Sequence, residues 1–397
     1  MRITDSSMRE VWLQALRQAQ SRLARTQKQV ATGERFSRPA EDPVAATRAM
    51  ELNRSLETNQ QLTRNAQLAR NRLSLEESVL VQVGDSLQRL RDLALQANND
   101  SQTPETRAAI ASEARQQLDA LLQFANAQDG NGQYLFSGYS TRTRPFSQAA
   151  AGVTYNGDDG TRQLQIGPDR EIADSDAGSS VFMRIRNGNG TFVVSAGGAN
   201  TGAALVGDYS VTNPTLYDAD TYTISFTSAT AYEVRDSANT LVASGAYTAG
   251  QSIGFAGVQI QVTGVPATGD TFVVAPSQNQ DLFRTAQNFV DALATGTTTD
   301  AGRARMHNAI NRTVMDLDQA LGRMIETRAG VGSRLAAIDS QDSVNADLEI
   351  ELKGLLSDIK DLDYADALSR LEMELTSLEA AQKSYARVQG LSLFNYL

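Results

Sequence analysis

Few residues in this chain are of a type and spacing that could do chemistry. The single histidine, His307, stands among Arg303, Arg305 and Met306 in a helical stretch. One imidazole rules out a multi-histidine metal centre, and nothing around it assembles a Ser-His-Asp set. It reads as a surface histidine. Gly188 and Gly190 do not extend into G-x-G-x-x-G, and no P-loop follows a strand, so these glycines read as turn residues. Asp174-Ser175-Asp176-Ala177-Gly178 and Asn156-Gly157-Asp158-Asp159-Gly160 look superficially like calcium loops. Both lack the ligand spacing and closing glutamate of an EF-hand and read as turns between strands. Asp358, Asp361, Asp363 and Asp366 could offer a carboxylate pair for acid/base work. They alternate with Leu and Ile on a helix and read as its solvated face. The expectation is a protein that is not an enzyme and uses no metal or cofactor.

The elements that carry these residues are mostly helical. From Ile3 to Val30, Leu16, Leu23 and Val30 recur every seven residues, with Trp12, Leu13 and Ala19 on the adjoining face. Gly33 and residues 36–39 break that helix. Asp42-Pro43 then supplies a capping oxygen and a first-turn proline for a second helix reaching about Asn98. Between Leu73 and Ala97 it reads as heptads, with Leu73, Leu80, Leu87 and Ala94 in one row and Val83, Leu90 and Ala97 in the other. Unbroken, it measures ~80 Å at 1.5 Å per residue. Thr103-Pro104 starts a third helix carrying Ile110, Leu118, Leu121 and Leu122.

From about Gly130 to Pro276 the chain turns rich in Gly, Thr, Ser and Val, with alternating runs such as Tyr222-Ile224-Phe226 and Val258-Ile260-Val262. Residues 182–186 and 191–195 flank Asn187-Gly188-Asn189-Gly190 as a hairpin would. Helix returns at Asp281, and a last long pattern carries Ile310, Val314, Leu317, Leu321, Ile325, Leu348, Leu352, Leu355 and Ile359. The fold class expected is α+β: a long antiparallel helical bundle or rod formed by the terminal segments, with a β-hairpin region and an inserted β-rich outer domain. The domains expected are 1–42 with 363–397 as a terminal assembly layer, 43–177 with 277–362 as the helical middle, and 178–276 as the outer β domain.

Composition narrows the partners. A net charge of -10 disfavours nucleic acid, and no run of eighteen apolar residues suggests membrane insertion. Zero cysteines suit either redox environment, and the N-terminus lacks a cleavable signal pattern. Charge is uneven along the chain: residues 1–40 hold eight Lys or Arg against three Asp or Glu, while residues 336–380 hold three against twelve. Opposite signs favour pairing of the two terminal arms, or equally describe two solvated faces.

Several stretches resemble the flagellin superfamily of bacterial axial proteins, and within it the hook-filament junction branch. They are Ala31-Thr32-Gly33-Glu34-Arg35 with residues 39–46, Tyr134-Leu135-Phe136-Ser137-Gly138-Tyr139 with Pro145-Phe146 and Tyr155-Asn156-Gly157, residues 364–371, and the closing Leu391-Ser392-Leu393-Phe394-Asn395-Tyr396-Leu397. Flagellins usually carry paired Asp and Ala-Ala-Gly where Asp42-Pro43 stands here. Glu41 replaces a commoner Asp and keeps its charge. The resemblance covers about 1–160 and 280–397. It implies an extracellular flagellar component without enzymatic activity, exported uncleaved through the flagellar type III apparatus. Its implied partners are other copies of itself, a hook-associated protein on the hook side, flagellin or a second junction protein on the filament side, and an export chaperone.

A lone amphipathic helix cannot bury its stripe, so the terminal arms should order on packing with neighbours. The candidate assembly contacts are Leu16, Leu23 and Val30 against Leu371, Leu375, Leu378, Leu393 and Phe394. Two alternatives stay open: flagellin itself, or a surface adhesin whose β insert presents Tyr209, Tyr217, Tyr222 and Tyr232 as a recognition patch.

Overall fold

A computed structural model describes residues 5–149, 152–295 and 298–390. Six α-helices frame it: α1 (Asp5–Thr32), α2 (Pro43–Ala97), α3 (Pro104–Ala125), α4 (Leu282–Leu293), α5 (Asp300–Lys360) and α6 (Tyr364–Gly390). Between α3 and α4 lie β1 (Phe146–Ala149), β2 (Gly152–Tyr155), β3 (Gln163–Gly167), β4 (Arg170–Ala173), β5 (Ile185–Arg186), β6 (Phe192–Ala196) and β7 (Leu205–Val211). They are followed by β8 (Tyr222–Ser228), β9 (Ala231–Arg235), β10 (Leu241–Ala246), β11 (Ser252–Phe255), β12 (Val258–Thr263), β13 (Thr271–Pro276) and β14 (Asn279–Gln280). The chain divides into two compact units, one drawn from residues up to Arg64 and from Gln341 onward, the other spanning Asn65–Ser340.

Local chemistry sets the helix starts. The Asp42 carboxylate accepts the Ala45 N–H at 2.9 Å, Thr103 Oγ1 accepts the Thr106 N–H at 3.3 Å, and Asp281 accepts the Arg284 N–H at 2.6 Å. Each satisfies a donor that the first helical turn leaves orphaned. Both heptad rows of α2 are fully buried, Leu73, Leu80, Leu87 and Ala94 with Val83, Leu90 and Ala97.

In the unit 65–340 the α2 rows pack with α3, α4 and the first half of α5 into one apolar core. Phe136, Phe146, Phe182 and Phe283 close it, with Phe182 edge-on to Phe136 at 5.0 Å and to Phe146 at 5.4 Å. β1 and β2 form the hairpin that Pro145-Phe146 and Tyr155 suggested, pairing Phe146 with Tyr155. A second core lies between a five-stranded antiparallel sheet, in the order β10-β9-β8-β13-β6, and a three-stranded one, β11-β12-β7. Alternation along β8 and β12 puts Tyr222, Ile224, Phe226, Val258, Ile260 and Val262 inside, as their period of two requires.

Three expectations, and one alternative that had stayed open, need correction. Residues 182–195 are no hairpin: Ser179–Met183 is a π-helical turn, β5 pairs with β14, and β6 pairs with β13. Phe182 leaves the strand pattern because its ring completes the aromatic cluster. His307 is buried, its Nδ1 2.7 Å from Asn98 Oδ1 and its Nε2 2.8 Å from Asp100 Oδ1. The tyrosines of the β insert are not a surface patch: Tyr209 and Tyr222 are core residues, and Tyr217 and Tyr232 pack half-buried against them. Finally, Ile325, Leu348 and Leu355 of the α5 pattern face solvent.

Candidate assembly surface

In the unit formed by the two chain ends, α1 and α6 pack against each other. Their junction fixes the direction. Gly33, with φ of 73°, ends α1 in the left-handed conformation that only glycine adopts without steric cost. Its carbonyl accepts the Leu362 N–H at 2.9 Å, the Arg35 N–H reaches the Lys360 carbonyl at 2.7 Å, and Glu34 and Asp361 form an antiparallel bridge. The end of α1 and the start of α6 are therefore held together, and the helices run antiparallel away from that clasp.

Each helix turns one row toward the other. On α1 the covered positions are Trp12, Leu16, Ala19, Leu23, Thr26 and Val30; on α6 they are Ala367, Leu371, Glu374, Leu378, Ala381 and Tyr385. Both rows step by four and three residues alternately, the spacing of a coiled-coil seam. Leu16, Leu23, Val30, Leu371 and Leu378 lie on these rows, each half-buried. Leu375 lies off the seam and is 43% exposed. Leu393 and Phe394, with the rest of the closing motif, lie outside the described residues.

A small second contact, Phe36 with Ala45, Ala46 and Ala49, packs against Leu356 and Ile359. Around these contacts the unit leaves large apolar side chains in water: Val11 on α1, Met50 on α2, Ile350 on α5 and Met373 on α6, the least covered being Ile350 at 72%. Nothing in the heptad arithmetic singled them out, because their positions fall between the rows. The ion pair that joins the arms, Lys360 Nζ to Glu34 Oε1 at 2.8 Å, takes its cation from the acidic arm, so it does not express their opposite net charges.

The groups considered for chemistry hold structure together instead. Asp363 caps α6 through the Ala365 N–H at 2.9 Å, and Asp366 pairs with Arg370 at 3.1 Å. Asp158 gathers the N–H groups of Tyr139, Ser140 and Gly160, whose hydrogen bonds hold its carboxyl below the usual range. Asp174 is fully buried beside Arg72 and Arg162. Among the described residues no three His, Cys, Asp or Glu side chains group to hold a metal ion, and no helix is long and apolar enough to cross a membrane.

Comparison with known proteins gives this geometry a family setting. A family model described as the bacterial flagellin N-terminal helical region matches residues 3–141, and one described as a D2-like domain of flagellar hook-associated protein 1 matches residues 195–276. Flagellar hook-associated protein 3 of Salmonella typhimurium is 26% identical over 397 residues, 99% of each chain. A crystal structure of Xanthomonas campestris FlgL is 39% identical, with a TM-score of 0.74, covering 77% of this chain and 99% of that one. The structure of hook associated protein-3 from Legionella pneumophila is 31% identical, with a TM-score of 0.76, covering 78% and 98%.

Proposed function

The chain belongs to the flagellar hook-associated protein 3 (FlgL) family of the bacterial flagellum, and from that premise we propose that it is a structural protein forming the junction layer between hook and filament. On this reading it performs no catalysis; it offers a surface on which flagellin can add. The observation that carries the reading is the terminal unit, where the seam leaves Leu16, Leu23, Leu371 and Leu378 half-buried and the same unit exposes Val11, Met50, Ile350 and Met373. Exposed apolar side chains gathered on one unit mark a surface that other chains cover.

Residues 1–42 and 363–397 then supply the inner assembly layer, 43–177 with 277–362 the helical middle, and 178–276 the outer domain. Contacts between successive copies are heterologous, which builds a helical layer and gives it two unlike ends. A hook-associated protein meets one end and flagellin, or a second junction protein, meets the other. Export through the flagellar type III apparatus, with a chaperone engaged near the C-terminus, belongs to the same proposal.

Deleting the gene and imaging the cells tests it, with the medium assayed for flagellin. Hooks without filaments, together with flagellin shed into the medium, are the expected result. Hooks with no flagellin shed would identify the chain as flagellin itself, and normal filaments would refute a place in the axial structure.

A further inference from the structure

A cavity of about 400 Å³ lies within the unit 65–340, walled by β6 and β7 on one side and by α4 and α5 on the other. Its size is that of a small-molecule site. Two arginines seven residues apart on α5, Arg305 and Arg312, line it together with Asn288 of α4. Seven residues are two helical turns, so both guanidinium groups share one helix face.

Among the described residues, neither arginine is matched by a carboxylate at hydrogen-bond distance. Among the described residues Arg305 makes long contacts, 3.4 Å each, to the carbonyls of Ala301 and Gly198. Arg312 gives one hydrogen bond to Ser195 Oγ at 3.1 Å. Its nearest acid, Asp316, stands 4.0 Å away and already accepts the Gly188 N–H at 2.7 Å and the Gln280 amide at 3.0 Å. Behind the same wall, Arg312 Nε and the Tyr209 hydroxyl are buried without an acceptor. The acid on the rim, Asp291, takes the Gln287 amide at 2.8 Å. The wall thus holds two cations beside two carboxylates, Asp291 and Asp316, that already accept hydrogen bonds from other groups.

We propose that this cavity is a binding site for a small oxyanion, carboxylate or phosphate, held between Arg305 and Arg312. Guanidinium groups bind such oxygens through charge-assisted, often paired hydrogen bonds. Val194, Val206, Ala309 and Met315 give part of the wall an apolar surface beside the amides of Asn308 and Asn311, leaving room for a carbon skeleton beyond the anionic group, which favours a small polycarboxylate over inorganic phosphate. Because the arginines sit on α5 and Ser195 on β6, a bound anion would also tie the helices to the outer sheet.

The probes are citrate, succinate and inorganic phosphate, titrated into the full-length protein at matched ionic strength against sodium chloride, read by calorimetry and by amide chemical shifts. Saturable one-to-one binding is expected, with citrate the tightest and shifts centred on Asn288 and Gly198. Arg305→Gln, which removes an exposed side chain with long contacts, should weaken citrate binding about tenfold while leaving the melting temperature without ligand unchanged. Phosphate binding as tightly as citrate, with the same dependence on Arg305, supports the anion site and makes phosphate its source. Chloride-like behaviour of all three probes, or citrate affinity indifferent to both Arg305→Gln and Arg312→Gln, refutes it.

Discussion

Glu76 lies on α2 with its side chain fully buried, and its ionisation should make the unit 65–340 less stable as pH rises. One carboxyl oxygen accepts the Asp176 N–H at 3.2 Å, and the other has no donor. The Asp176 carboxylate, itself paired with Arg334, adds a like charge nearby. Burial first, and the Asp176 charge second, push the Glu76 carboxyl well above its ordinary value of 4.5, with Arg334 opposing them. The folded chain therefore binds this proton more tightly than the unfolded chain does, so the contribution of Glu76 to stability is fully present below pH 4.5 and is lost as pH rises through the folded value.

Glu76→Gln mimics the protonated form, since it is uncharged and its amide oxygen can keep the Asp176 N–H. The variant should gain on the wild type by about 1.4 kcal/mol for each pH unit between 4.5 and the folded value. Urea unfolding followed by circular dichroism at several pH values from 4.5 to 8 measures both proteins. Subtracting the wild-type curve from that of the variant cancels the other carboxylates. A difference that stays flat with pH, or moves against the variant as pH rises, refutes the reasoning, because it means that Glu76 is ionised in the fold without penalty.

Three further substitutions test other parts of the molecule. Leu23→Asp places a charge in the α1–α6 seam and should abolish incorporation into flagella, read by complementation and microscopy, while the unit 65–340 keeps its unfolding midpoint. Gly33→Ala puts a β-carbon at φ of 73°, 2.9 Å from Tyr364 Oη, and should cost about 1–2 kcal/mol, most of it backbone strain. Fluorescence of Trp12, the sole tryptophan, follows that loss. His307→Leu leaves Asn98 Oδ1, half-buried, without its His307 partner and should cost about 1 kcal/mol in urea unfolding.

How far the sequence revealed the fold depends on the range of the interactions involved. The rows of α2 could be read because a repeat of seven is a local property, and each residue in them found a helix to pack on. Extending the row Val83, Leu90, Ala97 back by seven reaches Glu76, so the buried carboxylate was visible in the same periodicity. The strand pattern of residues 182–186 misled because Phe182 answers to Phe136, Phe146 and Phe283, which come from distant parts of the chain. The burial of His307 was equally hidden, since its partners Asn98 and Asp100 are some two hundred residues away. Asn311 extends that set: it accepts from Asn98 at 2.9 Å and donates to the Val206 carbonyl of β7 at 2.9 Å, and no spacing rule forecasts such a chain of amides.

The two units differ in how completely they satisfy themselves. The unit 65–340 closes its cores with fully buried Phe136, Phe182, Phe226 and Phe272, side chains whose burial each contributes on the order of 2 kcal/mol. In the unit of the chain ends, the core cluster beyond the α1–α6 seam is Phe36 with Ala45, Ala46 and Ala49, three of them offering a single methyl. Two helices packed side by side cover one face of each, so Leu16, Leu23 and Val30 stay half-wet and Val11, Met50 and Met373 stay exposed. Covering those side chains would release apolar surface that the single chain has no means to bury. The favourable step available to this unit is therefore contact with other chains. A monomer assembled on these terms should remain soluble through its self-sufficient unit while its chain ends gain most of their stability only on joining the growing structure.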